Sequence, residues 1–269
     1  LRKERSYRAL FLLLYIYNKI KLLKMSEFKF PTETIDLPSK GLVYSEDSPL
    51  SNGKIEMKYM TAKEEDILTN QNYIQKGTVL DELLKSLIVT KINFDDLIIG
   101  DKNAILIAAR ILGYGKDYTF MYEGEEITID LSTLETTELD EKEFVKGKNE
   151  FSFTLPHSGT NITYKLLTHG DERKITDEVK GLQRLNKNSS PELSTRLKYM
   201  ILSVDGDQSK STIRNFVDNY FLARDSRAFR EHIRRTQPDV KLIFDHDGPN
   251  GFKSDLNIPI GVNFFWPDA

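Results

Sequence analysis

The chain has 269 residues, 39% of them apolar and 29% charged; this is enough for one large or two modest globular domains and excludes a disordered or membrane-embedded composition. Cysteine is absent, which excludes disulfides and thiolate metal sites and fits a reducing compartment. The net charge of −3 gives no overall reason to expect a nucleic-acid binder.

That charge is unevenly spread. Residues 1–24 carry Arg2, Lys3, Arg5, Arg8, Lys19, Lys21 and Lys24 against Glu4 alone, so the remainder is the more acidic part. The apolar run from Ala9 to Tyr17 falls short of the roughly 20 residues of a transmembrane helix. No small-x-small cleavage site follows it, and Met25-Ser26-Glu27 reads as an ordinary start. The expectation is that residues 1–24 are an extension outside the native product. A basic amphipathic helix lying on a membrane surface is the alternative.

Pro31, Leu37-Pro38-Ser39-Lys40-Gly41 and Tyr44 then predict an extended arm with a tight turn. Residues 55–59 alternate as a half-buried strand, and Thr61 with Glu64 forms a capping box at a helix start. Thr78 and Asp81 start another helix, with Leu80, Leu83, Leu84 and Leu87 on one face. Residues 95–112 are helical around Gly100. A hairpin follows, with strands 118–122 and 127–131 around Glu123-Gly124-Glu125.

Residues 132–149, rich in Glu, Asp, Lys and Thr, read as a junction between lobes 25–148 and 149–269. In the second lobe, segments 149–155 and 161–167 alternate around Pro156-His157-Ser158-Gly159 as another hairpin. Helices are predicted over 171–185 and 191–204, with a polar break between them. A third is capped by Ser211 and carries Ile213, Phe216, Val217, Tyr220 and Phe221 as a core stripe. An Arg-rich helix precedes the terminal hairpin, whose arms flank Asp247-Gly248-Pro249-Asn250-Gly251. Asp101, Ala104 and Arg110 before the first hairpin match Asp225, Ala228 and Arg234 before the last, each Asp opening its helix, an echo of one helix–hairpin unit.

Tests for chemistry give little. Asp205-x-Asp207-x-Ser209 imitates the start of a calcium loop, but Phe216 stands where a bidentate Glu is required. Asp245-His246-Asp247 near Asn250 offers metal-ligand types, yet adjacent side chains on a hairpin rarely converge. His157, His169 and His232 lack a nucleophile or carboxylate pattern, and no phosphate loop or hydrolase motif occurs. Arg224, Arg227, Arg230, Arg234 and Arg235 form a basic cluster, with 227, 230 and 234 on one helical face. It reads as a solvated face or as a contact for an acidic protein. The closing Phe264-Phe265-Trp266-Pro267 is too apolar to dangle. If it continues a strand, Ile258, Ile260, Phe264 and Trp266 face inward on the second lobe, and Phe265 faces outward as a partner contact.

Several ordered stretches resemble the baseplate hub proteins of T-even-type contractile-tailed bacteriophages. They are Leu37-Pro38-Ser39-Lys40-Gly41, Met60-Thr61-Ala62-Lys63-Glu64-Glu65-Asp66-Ile67-Leu68 and the segment from Asp101 to Tyr118. Val204-Asp205-Gly206, Asp225-Ser226-Arg227-Ala228-Phe229-Arg230, Pro238-Asp239-Val240, Pro259-Ile260 and the terminal aromatics continue the series, which covers nearly everything after Met25. The resemblance implies a structural role in assembling the central hub of the tail baseplate, inside an infected bacterium or in the virion. It also implies a C-x-x-C pair at each of two hairpin turns, like a zinc ribbon in each lobe. Those turns here hold no cysteine.

The resulting expectation is an α+β protein of two lobes, each mainly helical with a β-hairpin of degenerate zinc-ribbon-like form. It is expected to be non-enzymatic, without metal or cofactor, contacting other hub or tail proteins through Phe265, Arg227, Arg230 and Arg234, and neither nucleic acid nor membrane. A metal-dependent hydrolase using the His246 region and a nucleic-acid-binding module using the face from Arg224 to Arg235 are the alternatives.

Overall fold

The computed structural model describes residues 31–185, 191–248 and 251–265. Glu33–Ala269 forms the larger compact unit of the chain. The expectations for residues 1–24 and for Trp266 and Pro267 lie outside the described residues. The larger unit is α+β, with helices and small sheets of two or three strands.

The first lobe runs β1 (Thr32–Asp36), β2 (Lys54–Lys58), helices α1 (Ala62–Leu68), α2 (Gln71–Lys76), α3 (Val79–Leu87) and α4 (Ile99–Tyr114), then the hairpin β3 (Asp117–Tyr122) and β4 (Glu125–Asp130). The predicted capping box starts α1: the Thr61 N–H and hydroxyl both donate to the Glu64 carboxylate, at 3.0 and 2.6 Å. Burial pushes that carboxyl up, but hydrogen bonds from Lys58, Thr61 and Ser86 outweigh it and hold its pKa at about 2. In α3, Leu83, Leu84 and Leu87 are buried, as their spacing requires.

The second lobe repeats this plan. β5 (Phe151–Thr154) and β6 (Asn161–Tyr164) flank Leu155-Pro156-His157-Ser158-Gly159, as β1 and β2 flank Leu37-Pro38-Ser39-Lys40-Gly41. In the first lobe Lys58, Thr61 and Glu64 meet at the start of α1. In the second Lys165, Thr168 and Asp171 meet at the start of α5 (His169–Leu185), with Lys165 Nζ 2.7 Å from Asp171. Next, α6 (Glu192–Met200) leads into β7 (Ile201–Val204), which adds to β6; after α3, Ile88 bridges to Met57 of β2 in the same way. Then α7 (Lys210–Asn219) and α8 (Ala223–Thr236) lead to the hairpin β8 (Ile243–Gly248) and β9 (Gly251–Asn257).

An aspartate at the third position of α4 and of α8 closes each unit. Buried Asp101 accepts from the Ser39 N–H at 2.9 Å, the Ser39 hydroxyl at 2.6 Å and the Tyr44 hydroxyl at 2.6 Å. Buried Asp225 accepts from the His157 and Ser158 N–H groups at 2.8 and 3.0 Å. Each carboxylate thus fixes its own Leu-Pro loop on the first turn of a helix, where N–H groups and the helix dipole favour negative charge.

Among the described residues there are two hydrophobic cores, and they do not divide the chain at one point. Leu155, Ile162, Ile175, Leu197, Phe216 and Phe229 belong to the second. Phe244, Ile258, Phe264 and Phe265, from the end of the sequence, pack in the first with Leu83, Ile105 and Tyr118. Phe120 and Tyr122 of the first hairpin meet Phe244 edge-on at 5.1 and 5.5 Å, so the equivalent hairpins of the two lobes pack on each other. Arg110 locks this arrangement: its buried guanidinium donates to the carbonyls of Phe264, Gly115 and Asp117 at 2.8, 2.8 and 3.1 Å.

Several expectations need correction. Asp101 and Asp225 stand two residues inside their helices rather than opening them. The helix predicted over 191–204 ends at Met200, because residues 201–204 find an open edge on β6. The cap of α7 is Ser209, which accepts from the Thr212 N–H, and Tyr220 leaves the core stripe at 63% exposed. Ile258 and Phe264 are buried, but in the first core rather than the second.

Gly100 marks a close approach. A Cβ there would lie 1.8 Å from the carbonyl oxygen of Pro238, in the segment leading to the terminal hairpin. Gly100→Ala is therefore expected to cost ~2–3 kcal/mol through overpacking, read as a fall in the thermal midpoint. An unchanged midpoint would show that the 238–239 segment yields freely.

Candidate partner-binding surface

The α7–α8 corner arises from one inward aromatic. Phe221 turns onto Phe216 and Phe229, at ring distances of 5.2 and 6.3 Å, leaving Tyr220 and Leu222 exposed on either side. α8 then buries Asp225, Ser226, Phe229 and Ile233, which puts the arginines on its outer side. Arg227, Arg230 and Arg234 are all exposed. Arg234 and Arg235 pair with Glu231 at 2.5 and 2.9 Å, neutralising part of the basic cluster. The Nε of Arg230 donates to the Ser226 carbonyl at 3.3 Å.

Phe265 does not join this surface. It is fully buried in the first core, its ring 5.3 Å from that of Phe264, so the expected outward contact is overturned. The reason is local: residues 262–264 form a 3-10 turn, and strand alternation does not operate through it. The proposed set therefore separates into an arginine face on the second lobe and a core phenylalanine in the first.

The Asp245-His246-Asp247 triplet also separates. In β8 His246 points inward while its two neighbours are exposed, as strand alternation dictates. The imidazole packs edge-on against Tyr122 at 5.4 Å, and its Nε2 lies 3.3 Å from Glu125 Oε2 without hydrogen-bond geometry. Lys253 adds a 2.5 Å ion pair to Glu123. The first hairpin's turn is built by Glu123 and Gly124, both at positive φ, the conformation of a tight two-residue turn. Ring contacts and the Lys253–Glu123 ion pair thus hold the two hairpins together. Among the described residues, no group of three or more His, Asp or Glu is arranged to hold a metal ion. Likewise, no described helix is long and apolar enough to cross a membrane. Asp207 accepts from the Ser209 N–H and the Thr212 hydroxyl at 2.8 and 2.6 Å, so it serves the start of α7.

A charged network joins the lobes. Lys102 of α4 lies 2.6 Å from Asp81 of α3 and 3.1 Å from His169 Nδ1 of α5. Asp81 and Asp95 face the other ring nitrogen at 3.5 and 4.0 Å, and Arg173 reaches Asp95 at 2.7 Å. Because Lys102 can only donate, His169 accepts at Nδ1 and carries its proton on Nε2. Burial, then the Lys102 charge, holds its pKa below the ordinary value, against the pull of Asp81 and Asp95. As pH falls below the unfolded value of about 6.5, the unfolded chain takes up the proton first, so stability falls. The thermal midpoint is expected to drop more steeply from pH 7.5 to 5.5 in the wild type than in His169→Gln. Equal slopes would contradict this.

The Leu-Pro loops, their aspartates and the seam between the lobes escaped the sequence reading as a connected arrangement. The signals available were the repetition of L-P-x-x-G, that of K-x-x-T-x-x-[DE] at 58–64 and 165–171, and the shared Asp–Ala–Arg spacing that pairs Asp101 with Asp225. No protein-family model, curated protein or solved structure matches the chain.

Proposed function

We propose that this chain is a structural or assembly component of the central hub of a contractile phage tail baseplate, acting through contacts with other hub or tail proteins. One observation carries the reading. The stretches that resemble the hub family are the ones that hold this fold together. Leu37–Gly41 and Asp101 form the first clamp, Thr61 and Glu64 cap α1, Asp225 forms the second clamp, and Phe264 and Phe265 close the first core. A set of motifs concentrated on framework positions supports a shared architecture rather than a shared catalytic centre. The exposed Tyr220 and Arg227 are residue types that suit protein contacts.

The test is genetic. Interrupting the gene in the genome that carries it should yield lysates with filled heads but no complete baseplates, restored by supplying the chain in trans. Normal, infectious tailed particles from the interrupted genome would overturn the proposal.

A further inference from the structure

A groove runs along the seam between the lobes, with a volume of about 200 Å³. Its floor is apolar, from Ile98 at the start of α4, Leu167 before α5, Met200 at the end of α6 and Ile233 of α8. Two arginines stand at its edge. Arg196 is already matched, to Glu172 and, at 3.5 Å, to Glu192. Arg230 is different: beyond its Nε contact to the Ser226 carbonyl, its guanidinium has no hydrogen bond or ion pair among the described residues. The groove therefore offers one unneutralised planar cation beside a small apolar floor.

That combination defines an occupant. A guanidinium presents two parallel N–H groups that match a carboxylate. The floor has room for one branched side chain, well below the size of a pocket for a large organic ligand. We propose that this groove binds a protein segment presenting a carboxylate beside a single branched apolar side chain. Arg230 takes the carboxylate, and the side chain sits between Ile98, Leu167, Met200 and Ile233. A phosphate-rich polymer fits poorly, since the second arginine is spent on Glu172 and Glu192 and the floor has nothing to offer it. A long acyl chain exceeds the space. That the occupant belongs to a tail protein rests on the assembly reading above; the chemistry of the groove does not.

The chain's five methionines give a direct readout. The intact protein, labelled with ¹³C at the methionine methyls, is titrated with N-acetyl-leucine as the probe. Met200 lines the groove, and Met121, 66% exposed on β3, is the control. The Met200 signal should shift saturably while Met121 stays still. Binding should weaken about tenfold in Arg230→Gln and with N-acetyl-leucinamide, the scale of losing a charged hydrogen-bond partner. Acetate alone should leave Met200 unmoved. The proposal is overturned if Met200 does not respond, if the amide binds equally well, or if Arg230→Gln binds unchanged. Tighter binding of decanoate than of N-acetyl-leucine would overturn the protein-segment occupant. Because the titration uses the isolated chain and a small probe, its failure removes the groove and leaves the hub reading to the gene interruption.

Discussion

Asp101→Ala is expected to be the most damaging single change in the first lobe, costing ~3–5 kcal/mol and unfolding the protein at ordinary growth temperature. The carboxyl is completely buried and receives three donors, two from Ser39 and one from Tyr44. The Tyr44 hydroxyl in turn accepts the Ile98 N–H at 3.1 Å, so the same cluster satisfies the start of α4. Removing the carboxyl leaves buried donors with no water to replace it. Asp101→Asn should be intermediate, because its amide nitrogen would face the Ser39 and Tyr44 hydroxyls as a donor. Asp225→Ala should cost less, since the His157 and Ser158 loop it holds is exposed and water can take over those N–H groups. Chemical denaturation of the three variants checks the order. An Asp101→Ala protein as stable as the wild type would show that the clamp contributes nothing.

Phe265→Ala should be nearly as severe, at ~3–5 kcal/mol, because it opens a cavity in the first core beside Phe264. Phe252→Ala, on the exposed side of the terminal hairpin, should stay within about 0.5 kcal/mol of the wild type. Scanning calorimetry on both separates a core residue from a surface aromatic. Similar midpoints for the two variants would place Phe265 at the surface after all.

The contrast between these residues shows what the sequence could reveal. Local signals were legible: the Thr61–Glu64 capping box spans three residues, and the Leu83, Leu84 and Leu87 stripe follows from helical periodicity alone. The hairpin at 117–130 was legible from its turn residues, whereas the terminal one, expected with arms at 240–244 and 256–262 around a long loop, forms over 243–257 with its strands running into that loop. What failed depended on distant partners. Residues 201–204 continue a helical pattern in sequence and become a strand only because β6 offers an edge. Strand parity carried through residues 262–264 turns Phe265 outward, but those residues form a 3-10 turn and Phe265 is buried. Asp101 reaches a loop 62 residues upstream, a pairing no periodicity announces. Arg227, Arg230 and Arg234 were placed correctly on one exposed helix face, yet Met200 and Leu167, which make a groove beside Arg230, come from elements with no sequence link to it.

On the proposed function, this chain works by being built into a tail hub. The most direct test is to co-express the chain with the tail proteins encoded beside it, purify through a tag on one of those proteins, and map contacts by cross-linking mass spectrometry. The account predicts a complex of fixed stoichiometry, with cross-links clustered near α8 and the seam groove, and loss of the chain from the complex when Arg227 and Arg230 are both changed to Glu. A complex of those proteins that assembles fully without the chain, while the chain remains alone at its monomer mass, would contradict it.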